Sequence, residues 1–273
     1  MLKFFKNHFF RVTFLIYVLV LGILVSGVYF MFINQQTIIQ KEKVQKDSLA
    51  KAELMVKIAD EKFYMIEQIA IQVSNSRWKT YAASKSDVLY SQLDYFKKME
   101  ICQQIETLNV ILQIAKSTAV IFPQKNVAVD GSSFWEIERY LKAIGLNEKW
   151  SGVLEEILTD SDKSMKILAE KQVGNDNGNF IVVKNLTQNT ISGDALFVFV
   201  DGKYFQKFIN INMMDVTYFA ICLDGETIYA TKQVNLEDQV QEVRLSSELY
   251  PWEYSFLVRV NNKESEIGNI YYI

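Results

Sequence analysis

The run of residues 12–33, VTFLIYVLVLGILVSGVYFMFI, constrains this chain more than any other stretch, because it contains no charged residue. At about 1.5 Å of rise per residue, such a run forms a helix roughly 30 Å long, which is the thickness of the hydrocarbon core of a bilayer. We therefore predict one transmembrane helix over residues 12–33, with the lipid bilayer as its partner.

The residues beside this run predict its orientation. Lys3, Lys6 and Arg11 precede it, and basic residues close to a span tend to stay in the cytoplasm. We expect residues 1–11 to be cytoplasmic and residues 34–273 to be extracellular, on a protein of the cell membrane. The alternative is a cleaved signal peptide, with a small-residue site at residues 25–27. Signal peptides have shorter apolar cores, of about 7–15 residues, which favours an uncleaved anchor.

The only histidine, His8, lies before the span. Residues 34–273 therefore lack the residue type needed for histidine-based zinc sites, for Ser/His/Asp or Cys/His catalysis, and for phosphoacceptance by histidine. The 32 acidic residues include no carboxylate pair at a telling position, and the net charge of -3 gives no electrostatic case for nucleic acid. We predict a protein that is not an enzyme, holds no metal or cofactor and binds no nucleic acid.

The two cysteines leave two interpretations open. Cys102 and Cys222 lie far apart in the sequence, and an oxidising exterior would permit a disulfide bond between them. Two free thiols that pack as small hydrophobic groups are the alternative, which we favour.

An apolar heptad repeat follows the span. Its residues recur at alternating spacings of three and four: Leu49, Ala52, Val56, Ala59, Phe63, Ile66, Ala70 and Val73. No proline or glycine interrupts residues 34–76, so we predict a long stalk or signalling helix over that range. We expect its upper part to pack on its own domain and residues 38–51 to stand clear. Heptad repeats also pair with a second copy, so we predict a homodimer through this helix.

The middle of the chain mixes helical and strand patterns. Residues 77–81 read as a turn, and residues 86–87 as the N-terminal cap of a helix. From residue 108, β-branched runs broken at residues 123–126 and 130–131 predict two or three antiparallel strands. Ser133 and Glu136 have the spacing of a capping box for a short helix that ends at Gly145, and another helix runs from residue 150 to residue 158.

The remainder is rich in strands. We predict strands over residues 164–172, 179–184 and 195–200, a hairpin loop at residues 175–179, a short helix over 203–209, and a closing strand over 252–260. The plainest hairpin turns about Asp224 and Gly225. The whole pattern predicts an α+β fold with antiparallel sheets and flanking helices.

This order of elements resembles the extracellular Cache-type sensors of bacterial membrane receptors, which are PAS-like sheets on a long N-terminal helix. Four stretches carry the resemblance: the strand pair about residues 122–126, the strand and helix LFVFVDGKYFQKFI, the hairpin at residues 224–225, and the closing strand begun by Trp252. The chain looks most like the outer part of Gram-positive AraC-type transmembrane regulators and of related sensor histidine kinases. The resemblance implies a double arrangement, with a membrane-distal PAS-like module over residues 77–200 and a membrane-proximal one over residues 201–273.

The resemblance also implies a ligand-sensing role in signal transduction. Members of that group continue into a second span and a cytoplasmic output module, so we expect this chain to be a fragment, a truncated product or a sensor-only variant. The amino-acid-binding subset of double Cache sensors has an arginine and a tryptophan two positions apart, then a tyrosine and a distal aspartate. Here Arg77 and Trp78 are adjacent and Asn185 stands where the acid is expected, so that ligand class is not transferred. The ligand stays open between a sugar, a peptide and an amino acid.

Six residues are predicted to border a ligand pocket in the distal module: Trp78, Tyr81, Phe122, Asp130, Trp135 and Asn185. Core packing or turn capping is the competing interpretation of each, and it is the more common role for such residues. The alternative function is a membrane-anchored interaction or structural protein with no small-molecule ligand.

Overall fold

The structure, a computed structural model, describes residues 2–84, 95–146, 149–159, 164–169, 178–186, 193–212, 216–231 and 240–259. The chain divides into two compact units, Met1–Ala50 and Lys51–Ile273. The first helix, α1 (Leu2–Ser74), contributes residues to both units.

The first unit consists of helix. From Phe10 onward α1 is long and apolar enough to cross a membrane, and no other helix in the described residues is. Its apolar side chains between Phe10 and Ile33 are exposed along the whole run. Such a surface is unfavourable in water and is compatible with lipid. The helix thus has the properties that the sequence predicts for a membrane span over residues 12–33.

Where the structure describes it, the second unit contains two antiparallel sheets. The first has six strands in the order β3-β2-β1-β6-β5-β4 and the second has four in the order β8-β7-β10-β9. The strands of the first sheet are β1 (Ala115–Phe122), β2 (Val127–Asp130), β3 (Phe134–Glu136), β4 (Lys166–Ala169), β5 (Phe180–Asn185) and β6 (Ala195–Val200). Those of the second sheet are β7 (Val216–Leu223), β8 (Glu226–Ala230), β9 (Val240–Ser246) and β10 (Glu253–Arg259). This architecture confirms the predicted α+β, PAS-like fold class.

Among the described residues, five shorter helices accompany the sheets. They are α2 (Arg77–Ser84), α3 (Tyr95–Leu112), α4 (Ile137–Ala143), α5 (Lys149–Thr159) and α6 (Gly202–Asn212), and one 3₁₀ turn (Pro123–Lys125) joins β1 to β2. Asp201 caps α6, because its carboxylate accepts hydrogen bonds from the backbone N–H groups of Lys203 and Tyr204 at 2.7 and 3.2 Å.

The inner core joins α1 to both sheets. Seven of the eight heptad residues, from Ala52 to Val73, are buried in it, whereas Leu49 is 43% exposed. The ring of Phe63 lies 6.3 Å from that of Phe180 in the first sheet and 4.9 Å from that of Trp252 beside the second. The upper heptad repeat therefore packs on its own domain, as expected, while the homodimer stays a prediction.

An outer core lies on the opposite face of the six-stranded sheet. We call this the outer face and define it by Ala119, Ile121, Ala128, Phe197 and Phe199. Helices α4 and α5 cover it with Tyr140, Leu141, Trp150 and Leu154, all of them buried. Strand β6 is buried on both faces along its whole length, which is why its sequence ALFVFV is a continuous apolar run rather than an alternating one.

The structure corrects several local predictions. Residues 77–81 begin helix α2 instead of forming a turn, because the hydroxyl of Ser76 accepts a hydrogen bond from the N–H of Lys79 and so caps a new helix. The capping box at Ser133 and Glu136 is wrong: residues 134–136 form β3, and Glu136 makes no side-chain cap. The carboxylate of Asp130 instead takes the N–H of Ser133 at 2.8 Å.

Other differences concern where elements begin. Helix α3 extends to Leu112, so the first strand starts at Ala115 rather than at residue 108. Strand β9 was not predicted from the sequence. The predicted cap at residues 86–87 and the loop residues 175–177 lie outside the described residues. The hairpin at Asp224 and Gly225 is confirmed, with φ of 51° and 80° at the two turn positions.

Candidate ligand-binding site

The backbone pairing of the first sheet sets out one row of residues across the outer face. Trp135 pairs with Ala128, Ala128 with Ile121, Ile121 with Ala195, and Ala195 with Asn185. Adjacent strands lie about 4.8 Å apart, so Trp135 and Asn185 mark the ends of a row roughly 19 Å long. Two of the three residues between them are alanines, whose small side chains allow α4 and α5 to pack close to the sheet.

Asn185 supplies a polar group without a partner to this row. Side chains alternate along β5, so Asn185 shares the face of Ile181 and Val183, which belong to the outer core. Its Oδ1 is buried and has no hydrogen-bond partner among the described residues. Leaving a buried acceptor unbonded costs about 1–3 kcal/mol. A hydrogen-bond donor on a ligand would remove that cost.

Asp130 and Trp135 are brought into direct contact. The indole Nε1 of Trp135 donates to Oδ1 of Asp130 at 3.0 Å. The same oxygen also accepts from the backbone N–H groups of Ser132 and Ser133 and from the hydroxyl of Ser132, each at 2.8 Å. This carboxylate therefore organises the turn between β2 and β3. Trp135 itself is partly buried against the outer core.

The other predicted residues lie elsewhere. Phe122 ends β1 and is buried in the inner core, because its position in the alternation turns it away from the outer face. Trp78 packs against the inner core and lines a cleft of about 210 Å³ with Thr107 and Ile111 of α3. Tyr81 belongs to α2, and its side chain lies outside the described residues. The described residues thus place three of the six candidates on the outer face.

The outer face is tightly filled where the structure describes it. Tyr140 is fully buried, its hydroxyl lies 2.9 Å from that of Ser117, and its ring contacts Phe197 edge-on at 5.9 Å. Burial raises the pKa of Tyr140 above its ordinary value, despite the opposing hydrogen bond with Ser117. The tyrosine therefore stays neutral and acts as a hydrogen-bonded core residue.

Sequence reasoning missed a buried ion pair. Nζ of Lys79 in α2 lies 3.0 Å from Oδ2 of Asp194, which directly precedes β6, and the two side chains are only 8% and 6% exposed. Burying both charges carries a desolvation cost, so such a pair gives less stability than its geometry implies. It fixes α2 to the sheet. The signal in the sequence was a lysine placed between Trp78 and Tyr81.

In the described part of the chain, three residues of helix α1 at seven-residue intervals make polar contacts beside its apolar repeat. Asp60 accepts hydrogen bonds from Tyr254 at 2.6 Å, and Glu67 pairs with Lys184 of β5 at 2.6 Å. Ser74 donates to the backbone carbonyl of Leu186. Because these contacts recur every two turns, they fix both the rotation and the axial position of the helix on the sheets.

Comparison with known proteins gives matches in structure alone. No protein-family model matches the chain, and no curated protein sequence matches it. The extracellular domain of vpHK1S-Z8, a protein assigned as a histidine kinase, is 8% identical over 84% of this chain and 95% of its own, with a TM-score of 0.50.

Two further structures are similar. A domain of a sensory box/GGDEF family protein from Vibrio parahaemolyticus is 9% identical and covers 83% of this chain and 99% of its own, with a TM-score of 0.49. The periplasmic domain of Vibrio cholerae LuxQ is 10% identical and covers 77% of this chain and 99% of its own, with a TM-score of 0.48. At 8% identity, the match to vpHK1S-Z8 concerns the fold.

Proposed function

We propose that this chain is the extracellular ligand-sensing part of a membrane signal-transduction receptor, anchored by residues 12–33 with its N-terminus in the cytoplasm. The observation that carries the proposal is the fold shared with the extracellular domain of vpHK1S-Z8, over 84% of this chain. That fold accompanies an N-terminal helix apolar enough to cross a membrane. The role is sensory and not catalytic.

The ligand is a small extracellular molecule, with a sugar, a peptide and an amino acid as the candidate classes. It binds over the outer face, where the unbonded Oδ1 of Asn185 accepts one of its hydrogen bonds. A ligand shifts two states only by its differential affinity for them, typically 1–3 kcal/mol of coupling. Part of α1 lies in the inner core and part in the predicted span, so repacking of that core changes the helix that enters the membrane.

The output module belongs to the remainder of such a receptor. We assign this chain to an AraC-type transcriptional regulator or to a sensor histidine kinase, on the resemblance set out above. In either case two copies act together through α1, and DNA is not bound by these residues.

A ligand screen tests the sensory role. The full chain, in nanodiscs, is heated with sugars, amino acids and short peptides. A ligand present at 100 times its Kd stabilises the protein by about 2.7 kcal/mol, which corresponds to a rise in Tm of roughly 5–10 °C. No rise in Tm with any of the three classes of compound would count against the proposal.

Matched variants locate the site. Asn185→Leu removes the amide acceptor and should abolish the rise in Tm given by a true ligand. Gln103→Leu removes an exposed amide on α3 and should leave that rise unchanged. If both variants respond as the wild type does, the ligand binds away from the outer face.

One observation favours a second function, that of a membrane-anchored interaction protein. The described outer face is packed with the protein's own aromatic and aliphatic side chains, among them Tyr140, Trp150 and Phe197, each at most 2% exposed. A filled face offers no space to a ligand unless the covering helices move. In this alternative, binding takes place at the surface of the domain.

A further inference from the structure

A groove lies between helix α1 and the end of strand β9, away from the outer face. It has a volume of about 650 Å³ and is partly open to solvent. Volumes of about 300–1,000 Å³ are typical of sites that hold a small molecule or a short peptide. The size alone therefore admits an occupant.

The charges around the groove are unbalanced. Among the residues that the structure describes, four carboxylates line it, those of Glu53, Asp60, Glu61 and Glu248, against one ammonium group, that of Lys57. Glu53, Glu61 and Glu248 are exposed at the rim. An anion would be repelled here, whereas a cation would be attracted from solution.

The same groove has apolar walls. Val56 is buried, Leu245 is partly buried and packs against the inner core, and Leu249 is 62% exposed. The ring of Tyr64 is 49% exposed, and an aromatic face of this kind attracts an ammonium group as well as apolar groups. A purely polar cation would leave these walls unused, so the groove fits an occupant with both positive charge and apolar side chains.

Asp60 lies at the base of the groove and is 5% exposed. Its oxygens accept hydrogen bonds from the hydroxyls of Ser247 and Tyr254. Burial raises the pKa of Asp60 above its ordinary value, and the nearby charge of Glu248 adds to that rise. Added positive charge above this carboxylate would offset both effects.

We propose that this groove binds a short basic peptide with interspersed apolar side chains, and that the lysines or arginines of the peptide pair with Glu53, Glu61 and Glu248. This site is separate from the small-molecule site over the outer face. The peptide contacts α1 and the second sheet at once, beside the hydrogen bond from Tyr254 to Asp60. Its binding therefore acts on the same helix that we assign to signalling.

The test uses the full chain in nanodiscs of phosphatidylcholine, whose zwitterionic surface does not recruit basic peptides by net charge. Binding is measured by the anisotropy of tetrapeptide amides that carry a neutral dye. The sequences are Leu-Lys-Leu-Lys, Leu-Ser-Leu-Ser and Leu-Glu-Leu-Glu. The lysine peptide should bind at least ten-fold more tightly than the serine peptide, and the glutamate peptide should not bind.

Variants assign the binding to the groove. The double variant Glu61→Gln/Glu248→Gln should weaken binding of the lysine peptide at least ten-fold and leave binding of the serine peptide unchanged. Leu249→Ser should weaken both the lysine and the serine peptides. Glu226→Gln removes an exposed carboxylate at the hairpin of β7 and β8 and should have no effect.

The proposal is overturned if the lysine and serine peptides bind equally, or if Glu226→Gln weakens binding as much as the double variant does. A metabolite that raises the Tm of wild type and of Glu61→Gln/Glu248→Gln alike would uphold the sensory function at its own site. The two proposals therefore fail independently.

Discussion

Lys79 and Asp194 illustrate how much a single buried side chain can control. The ion pair lies at 3.0 Å with both side chains nearly excluded from solvent. Replacing Lys79 by methionine keeps the aliphatic stem but leaves the carboxylate of Asp194 buried and unpaired. We expect Lys79→Met to lower the free energy of unfolding by about 3–5 kcal/mol. The measurement is thermal unfolding of the full chain in detergent, followed by tryptophan fluorescence.

The matched control removes both charges. Lys79→Met/Asp194→Leu should recover most of the lost stability, because two apolar side chains of similar volume replace a pair that was costly to desolvate. A double variant as unstable as Lys79→Met alone would show that packing around α2, and not the uncompensated charge, dominates.

Asp60 gives a prediction for the dependence of stability on pH. Burial raises the pKa of Asp60 above its ordinary value of 3.8, with Glu248 contributing in the same direction. The folded protein therefore holds this proton more tightly than the unfolded chain does, so stability falls as pH rises from 3.8 through the raised pKa. Asp60→Asn does not titrate. The Tm of the wild type should therefore fall relative to that of Asp60→Asn as the pH rises from about 4, and the difference should then level off.

Several groups bear on that measurement. Ser247 and Tyr254 donate to Asp60, and Glu53, Glu61, Glu248 and Lys57 line the groove above it. The contribution of the titration of these four charged groups is common to both proteins and cancels to first order in the difference. A rise in the Tm of the wild type relative to that of Asp60→Asn with rising pH would contradict a raised pKa for Asp60.

At the scale of elements, the start of α6 joins the two sheets. The N–H of Gly202 donates to Oδ1 of Asn179 at 2.9 Å, and the hydroxyl of Tyr229 in β8 donates to the carbonyl of Gly202 at 3.0 Å. A Cβ at residue 202 would overlap the backbone carbonyl of Gly178. We expect Gly202→Ala to cost about 1–3 kcal/mol, because backbone atoms must move apart.

Helix α5 offers the matched control. A Cβ at Gly152 meets nothing within 4 Å, and alanine is favoured over glycine inside a helix by about 0.5–1 kcal/mol. Gly152→Ala should therefore leave Tm unchanged or raise it slightly, whereas Gly202→Ala should lower it. An equal change in Tm for the two variants would contradict the close approach of a residue-202 Cβ to the backbone of Gly178.

Element types followed from the sequence where the pattern was long or chemically specific. The heptad repeat predicted the long helix and its buried face, the apolar run over residues 195–200 predicted a strand, and Asp224 with Gly225 predicted a hairpin. The misses had local causes. Ser76 caps a new helix, α2, where the sequence pattern predicted a turn. Asp130 accepts the hydrogen bond from the N–H of Ser133, which Glu136 would accept in a capping box.

The candidate site was harder to predict because it depends on pairing between distant strands. Nothing local in the sequence places Trp135 and Asn185 in one row; the register of five strands does so. The side on which Phe122 lies follows from the pairing of a strand that begins at Ala115, whereas the sequence pattern predicted strands from residue 108. The pair of Lys79 with Asp194 joins residues more than a hundred positions apart, and single-sequence patterns do not report such contacts.

At the scale of the whole molecule, the orientation in the membrane is open to direct test. In a background without Cys102 and Cys222, which are both free thiols in the structure, Glu226→Cys places a thiol on an exposed strand end. A membrane-impermeant maleimide should label it in intact cells, because basic residues before the span are expected to stay inside. Asn7→Cys, which keeps the basic residues before the span, should be labelled only after the cells are permeabilised. The reverse pattern would contradict the proposed topology.

One aromatic side chain has a consequence for how such a protein can be assembled or divided. Phe63 contacts Phe180 and Phe205 as well as Tyr250 and Trp252, so elements on both sides of residue 201 share its ring. A gene fusion or a proteolytic cut at residue 201 would separate two halves whose hydrophobic cores both include residues of α1. Recombination that exchanges such domains between genes should therefore keep residues 51–259, which include the second half of α1, together as one inherited block.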